Sequence, residues 1–123
     1  MKFTICGSAR FENLFHEWNK KLGLMGHISY GLMTYPSIEG DKTWYTPTQK
    51  ETLDLCHLAK IEDSDAVLIL NKEGYIGEST QRELKWALIQ EKLIYSLEPI
   101  EGVRSHDPAE LELRNLPKKE LFG

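Results

Sequence analysis

AVLILNKEGYIGESTQRELKWA, residues 66–87, runs from five consecutive apolar side chains through a glycine-bearing loop into an amphipathic stretch. Apolar residues without alternation describe a strand covered on both faces, and helices on both sides of a parallel sheet create that environment. From residue 79 to 91 the turns are marked by Leu84, Ala87 and Leu88, with Gln90 or Glu91 closing the pattern, as in a helix. The unit is strand, loop, helix.

The rest of the chain repeats it. Residues 3–6 form a short strand that ends at Gly7-Ser8. Phe11, Leu14, Phe15, Trp18 and Leu22 then recur at helical spacing up to Gly23. Residues 27–33 predict a second strand, and a polar loop with several aromatics, TYPSIEGDKTWYTPTQ, follows. A second helix is expected over 48–60, with Leu53, Cys56, Leu58 and Ile61 as its apolar positions, and a fourth strand over 93–97, stopped by Pro99. Strands and helices in strict alternation predict an α/β fold, a doubly wound parallel sheet with helices on both faces. Residues 1–123 are read as one small domain, with 100–123 as a C-terminal extension. Asp107-Pro108-Ala109-Glu110 has the chemistry of a helix start, predicting a short terminal helix to about Leu116.

Composition narrows the function classes. A chain of 123 residues, 41% hydrophobic and 28% charged, is an ordinary globular domain. Its 15 basic against 19 acidic residues give a net charge of -4, which disfavours a duplex-gripping protein. A small anion stays compatible, because a helix start binds phosphate through backbone N–H groups. Cys6 and Cys56 fall in apolar segments and are expected as buried free thiols of a reducing compartment. No Cys-x-x-Cys or zinc-type spacing occurs, and no signal-peptide core or membrane-spanning run, so a cytoplasmic, non-membrane protein without a metal is expected.

In an open parallel sheet the ligand sits beyond the carboxyl ends of the strands. Three loops qualify: CGSAR (Cys6 to Arg10), the loop from Met33 to Thr46, and NKEGYIGEST after the central strand. Gly7 and Ser8 allow either a phosphate or sugar cradle or a plain capped turn. Gly74 and Gly77 flank Tyr75-Ile76 and permit close backbone approach to a ligand. Ser79 and Thr80 open a helix whose free N–H groups favour an anion. Tyr35, Trp44, Tyr45 and Tyr75 are candidate stacking platforms for a base, or a roof over the core. Asp41 reaches the cleft only if its loop folds inward. Asp65, at the opposite strand end, is expected to cap or turn with Ser64.

Glu83 carries two readings. Thr80-Gln81-Arg82-Glu83 matches a capping box, in which the glutamate bonds back to the helix start. Trp86, Ala87 and Gln90 share its flank, which places it beside packed surface instead. Near a helix start the dipole would lower its pKa in either case.

CGSARF after the first strand, followed by HLAKIEDSDAVLILNKEGYIGESTQRELKWA, resembles the nucleoside 2-deoxyribosyltransferase superfamily over roughly residues 2–99. Its most specific part is the glycine-bearing loop followed by Glu83-Leu84-Lys85-Trp86-Ala87. The resemblance implies a flavodoxin-like or Rossmann-like sheet, a homodimer or higher oligomer with shared pockets, and no metal or organic cofactor. It assigns Glu83 as nucleophile toward the sugar of a nucleoside or nucleotide. Gly7, Ser8, Arg10, Asp41, Tyr75, Gly77, Ser79 and Thr80 become candidate substrate contacts. Four positions depart from the family. Lys85-Trp86 replaces Gly-Tyr, His57 stands where better-known members carry a base-holding aspartate, and Gly77 replaces an acidic or phosphate-contacting residue. His57 is then the candidate proton donor to the leaving base. The expected activity is cleavage or transfer at an N-glycosidic bond; the alternative is a noncatalytic nucleotide-binding or interaction module with the same fold.

Overall fold

The computed structural model describes residues 1–33 and 45–122. The elements are β1 (Lys2–Cys6), α1 (Glu12–Leu24), β2 (Ile28–Tyr30), α2 (Pro47–Glu62), β3 (Ala66–Ile69), α3 (Glu78–Ile89) and β4 (Leu93–Ser96). Short 3-10 turns cover Ala9–Phe11, Lys72–Gly74, Pro108–Glu110 and Glu120–Phe122. All four strands are parallel, in the order β2-β1-β3-β4. Cys6 pairs with Ile69 and Ile69 with Ser96, so three strands end at one level. The chain moves outward from β1 to β2 and then in the other direction through β3 to β4. Such a reversal opens a crevice between β1 and β3, as in flavodoxin-like folds.

Alternation along the strands sorts the side chains into two layers. Phe3 and Ile5 of β1, with Ala66, Leu68 and Leu70, pack against Phe15 and Leu22 of α1. On the opposite face Cys6, Val67, Ile69 and Ile94 meet Ile61 of α2 and Leu84 and Ala87 of α3. Residues 66–70 are wholly buried, as expected for the central strand. Gly7 lets the chain leave β1 tightly: a Cβ there would sit 3.0 Å from the Leu70 Cβ.

Several sequence expectations shift. The second strand keeps only three residues at the sheet edge. The first helix runs past Gly23 to Leu24. Cys56 is exposed on α2, one position from the buried stripe of His57 and Ile61, so only Cys6 is a buried thiol. The terminal helix reduces to the single turn Pro108–Glu110, with the Asp107 side chain accepting from the Ala109 N–H as its cap. Beyond it the chain is extended, because Arg114 N–H donates to the Met25 carbonyl at 2.8 Å and His27 Nε2 lies 3.2 Å from the Glu112 carbonyl. A helix that short cannot sustain itself, and tertiary pairing decides its path. Gly26, at φ +82, accommodates this strap: a Cβ would lie 2.5 Å from the Arg114 carbonyl oxygen.

Asp65 holds the amino end of the sheet, accepting from the Lys2 N–H at 2.8 Å. Ser64 beside it bonds Thr4 at 2.6 Å, an inter-element link inside the buried layer. Asp65 is structural as expected, but through β1, and Ser64 bonds Thr4 and the Lys60 carbonyl in place of the expected cap or turn with Asp65.

Candidate functional site

The start of α3 settles the two readings of Glu83 locally. The N-cap is Gly77, with φ -73 and ψ 173 and no capping side chain. The helix begins at Glu78 and not at Ser79 or Thr80, which puts Glu83 in the second turn, too far along to return a bond to the cap. Thr80, Glu83, Leu84 and Ala87 are the buried residues of α3, spaced three and four apart on one stripe. The capping box is therefore absent, and the carboxyl points into the layer between α3 and the sheet.

Two other polar side chains meet it there. His57 lies on the buried stripe of α2 with Ile61, one helical turn away. Cys6 is the last residue of β1, on the same face as Thr4. One donor atom from each of Cys6, His57 and Glu83 lies within 4.8 Å of the others. His57 Nε2 stands 3.4 Å from Glu83 Oε1, yet neither atom has a hydrogen-bond partner. Contact without bonding geometry leaves these two atoms unsatisfied, which is costly at this depth, although the Cys6 thiol bonds the Glu83 carboxyl and the Ile5 backbone bonds the His57 ring.

Burial governs their charge. Desolvation raises the Glu83 carboxyl to about 8, with the Asp54 carboxylate adding to the rise and the Cys6 thiol and Arg82 opposing it. Desolvation lowers His57 to about 4, aided by Lys60. The Cys6 thiol is pushed well up by its burial and by Glu83. Although the His57–Glu83 spacing is that of an ion pair, both shifts favour the uncharged forms, so at neutral pH the pair is an acid beside a neutral imidazole. The expected lowering of Glu83 by the helix dipole is overturned: dipole influence fades beyond the first turn, whereas this carboxyl is only 9% exposed.

The loops after β1 and β3 converge as expected. The Arg10 guanidinium lies 4.0 Å from the Tyr75 ring centroid and donates to the Tyr75 hydroxyl at 3.1 Å. Phe11 meets the same ring edge-on. Ser8 caps the following 3-10 turn, accepting from the Arg10 N–H at 3.3 Å. Gly77 lies under Tyr75, whose hydroxyl would sit 3.2 Å from an added Cβ. Ser79 is exposed and Thr80 buried. Tyr35, Asp41 and Trp44 lie outside the described residues.

Sequence reasoning missed Asn71, whose buried amide accepts from the Leu97 and Glu98 N–H groups and donates to the Glu98 carbonyl. Glu98 in turn accepts from the Gly74 N–H at 2.6 Å. These bonds tie the glycine loop to the end of β4. It also missed Cys6 as a partner of Glu83, although the alternation of Thr4 and Cys6 with Phe3 and Ile5 already marks one polar face on β1.

A four-stranded parallel sheet with helices on both faces and buried polar groups at its crevice defines the class: a flavodoxin-like α/β domain. Among solved structures, the 2-deoxyribosyltransferase of the psychrotolerant bacterium Bacillus psychrosaccharolyticus superposes with a TM-score of 0.59 at 16% identity, over 81% of this chain and 77% of that one. The chain therefore has the fold of a 2-deoxyribosyltransferase, in line with the sequence resemblance. The CMP N-glycosidase BcmB of Clostridium botulinum superposes at 0.49, with 14% identity over 78% of this chain and 70% of that one. No family model and no curated protein matches the sequence. Among the described residues, no helix is long and apolar enough to cross a membrane.

Proposed function

We propose that the chain cleaves or exchanges the N-glycosidic bond of a nucleoside or nucleotide, with Glu83 attacking the sugar and His57 carrying the proton. The observation that supports this most is the unsatisfied Glu83 Oε1 facing the unsatisfied His57 Nε2 at 3.4 Å beside the sheet's crevice.

The pair supplies both halves of the chemistry. Neutral His57 takes the Glu83 proton, leaving a carboxylate and an imidazolium. The bond from the sugar's anomeric carbon to the base breaks, and its electron pair leaves with the base, which takes the His57 proton. Positive charge developing on the sugar is met by the Glu83 carboxylate, which closes a glycosyl ester. Water or a second base then attacks that carbon. The carboxylate departs, and the attacker's proton returns through His57 to Glu83. Storing Glu83 protonated avoids an unpaired buried carboxylate between turnovers. Arg10, stacked on Tyr75, is the proposed cation for a 5′-phosphate, and Gly7, Ser8, Gly77, Ser79 and Thr80 line those loops as sugar or phosphate contacts. Asp41 belongs to this proposal from sequence alone. The resemblance further supports a cytoplasmic homodimer or higher oligomer, which sedimentation at assay concentration tests.

The test is a panel of deoxynucleosides and their monophosphates, with and without an acceptor base, followed for free base and exchanged product. Wild type is expected to turn over at least one of them. Glu83→Gln is expected to lose all turnover while staying folded, and His57→Ala to lose about 10²–10⁴-fold. Base release by Glu83→Gln at the wild-type rate would refute the assignment. The low exposure of Glu83 and His57, 9% and 5%, favours the second reading, a noncatalytic nucleotide-binding module. Nucleotide binding without turnover in the wild type would select it.

A further inference from the structure

We propose that Cys6, His57 and Glu83 together form a binding site for a zinc-class divalent cation. The proposal shares Glu83 and His57 with the N-glycosidic reading but needs none of its chemistry, and the two states exclude each other.

The donor set fits. A thiol sulfur, an imidazole nitrogen and a carboxylate oxygen are the three ligand types zinc takes. They come from three separate elements, the end of β1, α2 and α3, and their donor atoms lie within 4.8 Å of one another. Metal–ligand bonds of about 2.0–2.3 Å in a tetrahedron set ligand atoms roughly 3.3–3.8 Å apart. His57 Nε2 and Glu83 Oε1 already stand at such a separation, 3.4 Å. Sulfur needs to close by about an ångström at most.

Hydrogen bonding points the same way. Buried polar atoms in proteins are nearly always paired, and a missing ion is one cause of an exception. Among the described residues, the buried atoms without a partner are His57 Nε2, Glu83 Oε1 and Trp86 Nε1, and the first two face each other here. Charge also closes. A thiolate, a carboxylate and a dication sum to zero, so the occupied site buries no net charge. Binding places one cation on three protein ligands and releases two protons to solvent, from Cys6 and Glu83. One sulfur, one nitrogen and one oxygen suit zinc or cobalt and not magnesium or calcium, which demand an oxygen shell. Three protein ligands leave a fourth position for water. With Glu83 engaged, attack on a sugar is blocked, so the cation acts as an inhibitor.

Cobalt(II) is the probe, added without nucleotide to the full chain carrying Cys56→Ser, which removes the exposed neighbouring thiol. The expected result is one cobalt per chain with a near-ultraviolet thiolate-to-cobalt band, displaced by zinc. The band should vanish in Cys6→Ser, and affinity should fall at least about 10-fold in His57→Gln and in Glu83→Gln, each checked for folding by circular dichroism. Should Cys6→Ser not fold, the other two variants decide. Uptake without a thiolate band, or with affinity unchanged in His57→Gln, overturns the site, as does no uptake. Base release by chelator-treated protein is read separately, so losing either proposal leaves the other standing.

Discussion

The two faces of the sheet are built differently. Under α1 the layer is apolar throughout: Phe3, Ile5, Phe15, Leu22, Ala66, Leu68 and Leu70. On the face under α2 and α3, Thr4, Cys6, His57, Ser64 and Glu83 are buried beside hydrophobic neighbours. Burying apolar surface stabilises a fold, whereas burying an unpaired carboxyl opposes it. The α1 face is thus purely stabilising, and the other face holds an acid buried at a stability cost.

Substitutions on the two faces should therefore act with opposite sign. Phe15→Ala, which empties a side chain 1% exposed in the α1 layer, is expected to cost about 4 kcal/mol in denaturant unfolding. A loss under 1 kcal/mol would break the comparison.

Glu83→Gln sharpens it through pH. The folded pKa of Glu83 is raised from 4.5 to about 8, so its proton stabilises the fold fully below 4.5 and that stability is lost as pH rises toward 8. The folded pKa of His57 is lowered from 6.5 to about 4, so its contribution is present above 6.5 and lost as pH falls toward 4. Between 4.5 and 6.5 the two slopes cancel; from 6.5 to 8 only the Glu83 slope remains. Wild type should lose about 2 kcal/mol across that upper interval, and Glu83→Gln should not. Equal slopes in the two proteins would contradict the buried acid.

The smallest effect is expected on neither face. Thr46 caps α2 in a reciprocal capping box with Gln49, and Thr46→Ala should cost about 1 kcal/mol in thermal or denaturant unfolding, with no change in the pH slope.

The apolar face was legible because periodicity reports it directly. The spacing of Phe15 and Leu22 specifies the buried face of α1, and the run at 66–70 marks a strand covered on both faces, neither with reference to anything distant. The polar face was legible only in part. Glu83 was found through a motif, yet the true helix start at Glu78 was hidden, since Gly77 caps through its backbone and offers no side-chain signal. Cys6, His57 and Glu83 are 51 and 26 positions apart, and only the β1-β3 pairing with α2 and α3 above it brings them together. Burial also reversed the expected sign of the Glu83 shift, because desolvation depends on neighbours that local sequence does not reveal. The terminal segment failed for a related reason: a good cap predicts a helix, but the strap gains more from pairing with Met25 and His27.

The N-glycosidic reading hangs on whether the buried acid of α3 reaches a sugar. Rapid acid quench of the chain with a turned-over deoxynucleotide, followed by peptide mass mapping, tests it most directly. A deoxyribosyl adduct on the peptide containing Glu83, absent from Glu83→Gln, is the predicted result. Free base formed with no adduct at Glu83, and at the same rate in Glu83→Gln, would contradict it.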